Sequence, residues 1–176
     1  MASNARRRPG QSRRSAKRES GLFKKVEAWL RSRMKQHRYQ HVFQGQVKFY
    51  PPNNTPGASG FHHRYQGQNP PGARVRRDAN GNEMITQHGP DGVYRARVDV
   101  QAPNGTWIPK NAQSTFFPDR WTPQQVDDAI SHAFRNRTMD PNNSQRWYGP
   151  GPNGMTISGF VDPGSDRWKT AFPVIT

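Results

Sequence analysis

The stretch Thr122-Pro-Gln-Gln125 constrains this chain most, because it marks where a helix has to start. Thr122 is a good N-cap, Pro123 suits the first helical position, and Gln125 completes a capping box. Val126, Ala129, Ile130, Ala133 and Phe134 then recur at helical spacing, which predicts one buried face and an end near Arg137. His132 falls on the exposed side. An amphipathic helix is also expected over residues 20–38, capped by Ser20 and carrying His37. Leu22, Val26, Trp29, Leu30 and Met34 form its apolar stripe, opposite Lys24, Lys25, Arg31 and Lys35. Its expected role is to pack on the domain behind it rather than to lie on a membrane surface.

Around these helices Gly and Pro, 16 of each in 176 residues, cut the chain into short runs. Residues 41–49 read as a strand interrupted by Gly45, 51–60 as a loop, 61–66 as a short strand and 69–82 as a loop. Tyr94, Ala96, Val98 and Val100 alternate with Arg95, Arg97, Asp99 and Gln101, the clearest strand pattern in the chain. Asn104-Gly105 is a turn, Trp107-Ile108 begins the return, and residues 114–117 form a short strand before Pro118. Residues 138–153 read as a polar loop, and 155–161 and 169–175 as a closing pair of strands. The expected class is α+β: an N-terminal helix, mostly antiparallel sheets and a second helix.

Charge divides the chain. Residues 1–38 hold 13 Lys and Arg against 2 acids, a net of +11, while the rest contributes only +4 of the +15 total. Residues 1–19 lack the apolar side chains needed for a core and are expected to be a disordered basic arm. Residues 20–38 are expected to be the amphipathic helix and 39–176 the folded domain. The arm attracts polyanions, or is a solvated tail or linker. No apolar segment follows it, so no signal peptide is expected, and no run reaches the roughly 18–20 apolar residues of a membrane span. With no cysteine, disulfides, zinc ribbons and thiol nucleophiles are excluded.

The candidate chemistry lies in six histidines: His37, His41, His62, His63, His88 and His132. There is no H-E-x-x-H, no paired acidic cluster and no Gly-rich phosphate loop, and Asp78 is the sole acid over residues 39–82. A two-metal nuclease needs several converging carboxylates, so no metal and no cofactor are expected. Metal-free RNA cleavage needs less. One group takes the proton of the ribose 2′-OH, another protonates the departing 5′-oxygen, and a cation stabilises the charged phosphorane. Two imidazoles suit the first two roles, because one is neutral while its partner is protonated near pH 7. Spacing alone does not choose the pair. Arg74, Arg76 and Arg77 are either a solvated loop or a grip on phosphates.

Four ordered stretches carry a resemblance: His41-Val-Phe-Gln-Gly-Gln46, Gly60-Phe-His-His63, residues 110–121 with Ser-Thr-Phe-Phe-Pro-Asp-Arg-Trp, and Ile157-Ser-Gly-Phe160 with Lys169-Thr-Ala-Phe-Pro173. Together, over residues 41–176, they resemble the bacterial EndoU endoribonucleases, toxin tips of contact-dependent and other polymorphic toxin systems. The resemblance implies an RNase A-like fold of the barnase–EndoU–colicin–RelE type. It implies His41 as acid, His62 as base and Lys110 as the phosphate-facing cation. Thr170 would contact phosphate or base, Phe172 would stack a base, and Ser114 and Thr115 would touch substrate. His63, His88 and Lys169 are the alternates.

Two departures stand out. Many members place the lysine directly before Thr-x-Phe-Pro, where this chain has Gln113-Ser114, and end on Tyr where it has Phe172. The function implied is a metal-independent endoribonuclease toxin, with RNA, tRNA included, cleaved to a 2′,3′-cyclic phosphate. It would be delivered to a target-cell cytoplasm and restrained by a cognate, acidic immunity protein. The alternative is a non-catalytic basic nucleic-acid-binding or phage structural protein.

Overall fold

The computed structural model describes residues 11–33 and 36–176. The chain forms two compact units, residues 1–33 and 34–176. The first holds helix α1, Gln11–Arg33. Within it Glu27 and Arg31 approach to 3.7 Å one turn apart, and Arg33 lies 5.7 Å over the Trp29 ring. The helix thus begins before the expected Ser20 cap and stops short of Arg38. Gln, Arg, Lys, Ala and Glu are good helix formers even where they bury nothing. The first ten residues of the expected basic arm lie outside the described residues.

The second unit opens with helix α2, His37–Phe43, where a strand was expected from His41. Tyr39, Val42 and Phe43 are buried, a three- and four-residue spacing that favours a helix over alternation. Gly45 was read as a break in that strand. It ends the helix instead, in the left-handed region at φ +71°, with its N–H donating to the Gln40 carbonyl at 2.9 Å.

Strands β1 (Gln46–Tyr50) and β2 (Thr55–Ser59) form an antiparallel hairpin in register Gln46↔Ser59, so the expected 51–60 loop is half strand. The hairpin returns the chain to α2. Residues 61–64 join no sheet, contrary to the strand expected there, and Phe61 sits in the left-handed region at φ +67°. They bond to the end of α2: Phe61 N–H donates to the His41 carbonyl at 2.7 Å and His62 N–H to the Val42 carbonyl at 2.6 Å. These bonds satisfy two of the carbonyls a helix end leaves free.

Two three-stranded sheets follow. One pairs β3 (Ala73–Val75), β6 (Val98–Gln101) and β7 (Trp107–Pro109); the other pairs β4 (Ile85–His88), β5 (Tyr94–Ala96) and β8 (Ser114–Phe116). The run of residues 94–101 is therefore two strands in two sheets, parted at exposed Arg97. Its even alternation fails at Asp99, which is buried between Arg74 and Arg76 at 3.2 and 2.9 Å. Phe61, Val75, Tyr94, Val98 and Phe116 form the core shared by these sheets.

Helix α3 (Pro123–Arg135) has the expected capping box: Gln125 N–H donates to Thr122 Oγ1 at 3.2 Å and Thr122 N–H to Gln125 Oε1 at 2.7 Å. Its apolar face packs on a four-stranded antiparallel sheet ordered β12-β11-β10-β9. Strands β11 (Thr156–Val161) and β12 (Trp168–Val174) were expected. Strands β9 (Thr138–Asp140) and β10 (Asn143–Pro150) were not, because their polar residues read as loop. Trp147 anchors β10, fully buried, with its ring 5.2 Å from that of Phe134. The whole is α+β with antiparallel sheets, and among the described residues no helix is long and apolar enough to cross a membrane.

Candidate active site

The bonds that tie residues 61 and 62 to α2 also bring two imidazoles together. The ring centroids of His41 and His62 are 5.9 Å apart. Gly60 makes this approach possible: at φ +80°, a Cβ added there would lie 2.2 Å from the His41 carbonyl oxygen. His62 Nδ1 lies 2.8 Å from the Thr115 carbonyl. A carbonyl only accepts, so Nδ1 carries the proton and Nε2 keeps its lone pair. The His62 ring also rests 5.4 Å from that of Phe172.

Lys110 follows β7 and donates from Nζ to the Gly60 carbonyl at 3.1 Å and to Ser114 Oγ at 2.8 Å. The Ser114 hydroxyl in turn donates to the same carbonyl at 3.0 Å. Two ammonium protons are thereby spoken for and one remains for a ligand. His41, His62, Lys110, Thr115, Thr170 and Phe172 all line one open cleft of about 590 Å³. Thr170 Oγ1 accepts the Phe160 N–H at 3.0 Å, which leaves its own hydroxyl proton to donate.

No carboxylate lines this cleft, and its electrostatics are one-sided. Burial pushes His41 down to about 3, helped by the positive charges of Lys110, His37, Lys48 and Lys169. Burial, then Lys110 and His41, holds His62 well below its ordinary value, only partly opposed by the Thr115 carbonyl. Burial alone lowers Lys110 to about 8. At neutral pH the free site thus holds two neutral imidazoles beside an ammonium. Among the described residues no group of three His, Asp or Glu side chains is placed to hold a metal ion.

The model of the bacterial EndoU nuclease family matches residues 35–175, nearly all of the second unit. The chain belongs to that family. A protein called "Toxin" from Bacillus cereus is 35% identical over 137 residues, 76% of this chain and 22% of that protein. The chain therefore spans about a fifth of that relative's length. No solved structure matches it.

Most of the expected EndoU residues meet in the cleft. The alternates do not replace them. His63 points away, its ring 5.7 Å edge-on from Phe43, and burial lowers it to about 4 against the raising effect of the Trp121 and Pro118 backbone. His88 is exposed at the end of β4 and does not line the cleft. Lys169 lines a neighbouring groove. Ser114, expected to touch substrate, is fully buried, accepts from Lys110 Nζ and does not line the cleft. Arg74 and Arg76 are tied to Asp99, and Arg77 donates to the Gly81 carbonyl at 2.7 Å, so none of the three reaches this EndoU cleft.

Arg95, Gln113 and Phe160 also line the cleft and were not among the expected site residues. Arg95 stands opposite Thr115 in the β5–β8 register. Its alternation with buried Tyr94 and Ala96 marked it as outward-facing, but no local signal separates a residue facing bulk water from one facing a cleft.

Proposed function

We propose that this EndoU domain is a metal-independent endoribonuclease, the toxic module of a larger protein, which cleaves RNA by attack of the ribose 2′-OH on its own phosphate. His62 Nε2 takes the 2′-OH proton. The oxygen forms a bond to phosphorus while the bond to the departing 5′-oxygen breaks, and protonated His41 supplies that oxygen with its proton. The products are a 2′,3′-cyclic phosphate and a 5′-hydroxyl end. Lys110 and the Thr170 hydroxyl face the phosphorane oxygens, and Phe172 stacks a base.

The observation that carries this reading is the His41–His62–Lys110 cluster in a cleft without a carboxylate. Its charges are all of one sign, so an arriving phosphodiester supplies the missing counter-charge. That anion raises the two imidazoles toward neutrality, where one can give a proton as the other takes one. The more buried ring, held by the Thr115 carbonyl with Nε2 free, suits the base. The more exposed His41 suits the acid. The toxin role draws on the name of the Bacillus cereus relative, and delivery into a target cell is part of the same proposal. An immunity protein that blocks this cleft would present acidic side chains.

The test is cleavage of tRNA, with DNA as control, by the purified protein in EDTA. RNA is expected to be cut to cyclic-phosphate ends and DNA left intact. His41→Ala and His62→Ala are each expected to cost about 10²–10⁴-fold. Loss of cleavage in EDTA, or full activity in both variants, overturns the mechanism.

A further inference from the structure

A second concavity adjoins the cleft. This groove of about 550 Å³ is lined by His37, Arg38, Asp162, Arg167, Trp168 and Lys169. Three cations there face one carboxylate. Among the described residues no Asp or Glu forms an ion pair with Arg38, Arg167 or Lys169, whereas Arg64, Arg74, Arg76, Arg120 and Arg137 each have one. The Arg38 guanidinium is held at the groove wall, 5.0 Å over the Trp168 ring and 5.2 Å over that of Tyr39.

Groove and cleft share a wall. His37 and His41 lie one turn apart on the same face of α2, about 6 Å along its axis. On β12 the pairing jumps from Phe160↔Thr170 to Val161↔Trp168, which makes Lys169 the extra residue of a β-bulge. A bulge re-aims the side chain it inserts. Thr170 lines the cleft while Lys169, beside it, lines the groove. Both His37 and Lys169 are close enough for their charge to disfavour protonation of His41.

We propose that this groove is a second RNA subsite, which holds the phosphodiester backbone on the 3′ side of the scissile bond. The proposal rests on the ribonuclease reading and deepens it. Its direction follows from the roles above. His41 serves the departing 5′-oxygen, so the strand bearing that oxygen leaves the cleft past His41. Along α2 the next residue on that face is His37, and the next wall is the groove. His62 and Phe172 lie to the other side, with the nucleoside whose 2′-OH attacks. Arg38, Arg167 and Lys169 would grip phosphates and so position the strand without reading its bases.

DNA oligonucleotides with a single ribonucleotide test this, because only that ribose can be cut. The quantity read is the ratio of kcat/KM for a strand extended on the 3′ side to that for one without the extension. The extension is expected to raise kcat/KM about tenfold at low salt, the size of one charge-assisted hydrogen bond. That gain is expected to vanish in Arg167→Ala, an exposed position, and in an Arg38→Gln/Arg167→Ala pair. A gain confined to 5′ extension, or one unchanged in both variants, overturns the proposal. All-deoxy strands of the same lengths, followed by fluorescence anisotropy, read the groove without cleavage. Affinity that grows with length and falls in Arg167→Ala supports the groove even if the ribonuclease reading fails; affinity indifferent to the variant overturns it.

Discussion

At the scale of single residues, the site works by placing basic groups where being charged is costly. A lysine in water keeps its proton to far above pH 8, whereas burial lowers Lys110 to about 8. Both imidazoles are likewise depressed in the free protein. Because kcat/KM reports the free protein, it is expected to peak on the acid side of pH 6.5, where His41 protonates more readily, and to fall more steeply beyond about pH 8 as Lys110 loses its charge. Lys110→Arg should abolish the second break, since a guanidinium stays charged. A pH–rate series over pH 4–10 checks both, and an optimum above pH 7 in kcat/KM would contradict the assignment. In kcat the optimum should lie nearer neutrality, because bound phosphate raises the imidazoles.

At the scale of elements, the two histidines meet through backbone rather than side-chain contacts. The end of α2 and the segment after β2 are joined by the Phe61–His41 and His62–Val42 bonds. Gly60 has no room for a Cβ there and sits at positive φ. Gly60→Ala is therefore expected to push the His62 segment off α2, with a stability loss on the order of 1–3 kcal/mol. Cleavage should fall at least as far as in His62→Ala, because Lys110 also bonds the Gly60 carbonyl. Urea unfolding and a cleavage assay on the same variant measure the two effects. Wild-type activity in Gly60→Ala would show that the pairing does not depend on this approach. Nothing in the sequence around His41 announces this junction. The run His-Val-Phe-Gln-Gly-Gln suits a strand as well as a helix end, and the choice was made by Tyr39, Val42 and Phe43 burying one face together.

At the scale of the whole molecule, buried histidines tie stability to pH. His63 is neutral in the fold, lowered to about 4 from the ordinary 6.5. A group depressed on folding contributes stability that is complete above the unfolded value and is lost as pH falls through the folded one. The window for His63 is thus pH 6.5 down to 4, with a loss of about 3 kcal/mol once both values are passed. His41 acts in the same direction, with its window reaching to about 3. His63→Phe, which keeps an aromatic ring beside Phe43, is expected to flatten the fall of Tm between pH 6.5 and 4 without removing it. Equal slopes in wild type and variant would mean that His63 does not titrate there.

What could be read from the order of residues alone is what depends on near neighbours. Capping and spacing over three or four residues specified α3 and its buried face, and two short runs on either side of the Asp162-Pro-Gly-Ser165 turn marked the β11–β12 hairpin. The ordered motifs identified the family, and singled out His41, His62, Lys110, Thr170 and Phe172, which line one cleft. Tertiary structure alone decided the rest, because those questions concern residues far apart in the chain. Pairing of residues 94–96 with β4 and β8, and of 98–101 with β3 and β7, split one apparent strand into two. Packing under α3 turned polar residues 138–150 into two strands around Trp147. Which side of residues 62 and 63 faces the cleft, and whether Ser114 meets substrate or only Lys110, follow from where α2, β8 and the Gly60 segment come together. Local sequence carries no signal for such a meeting, since its energy comes from contacts between segments dozens of residues apart.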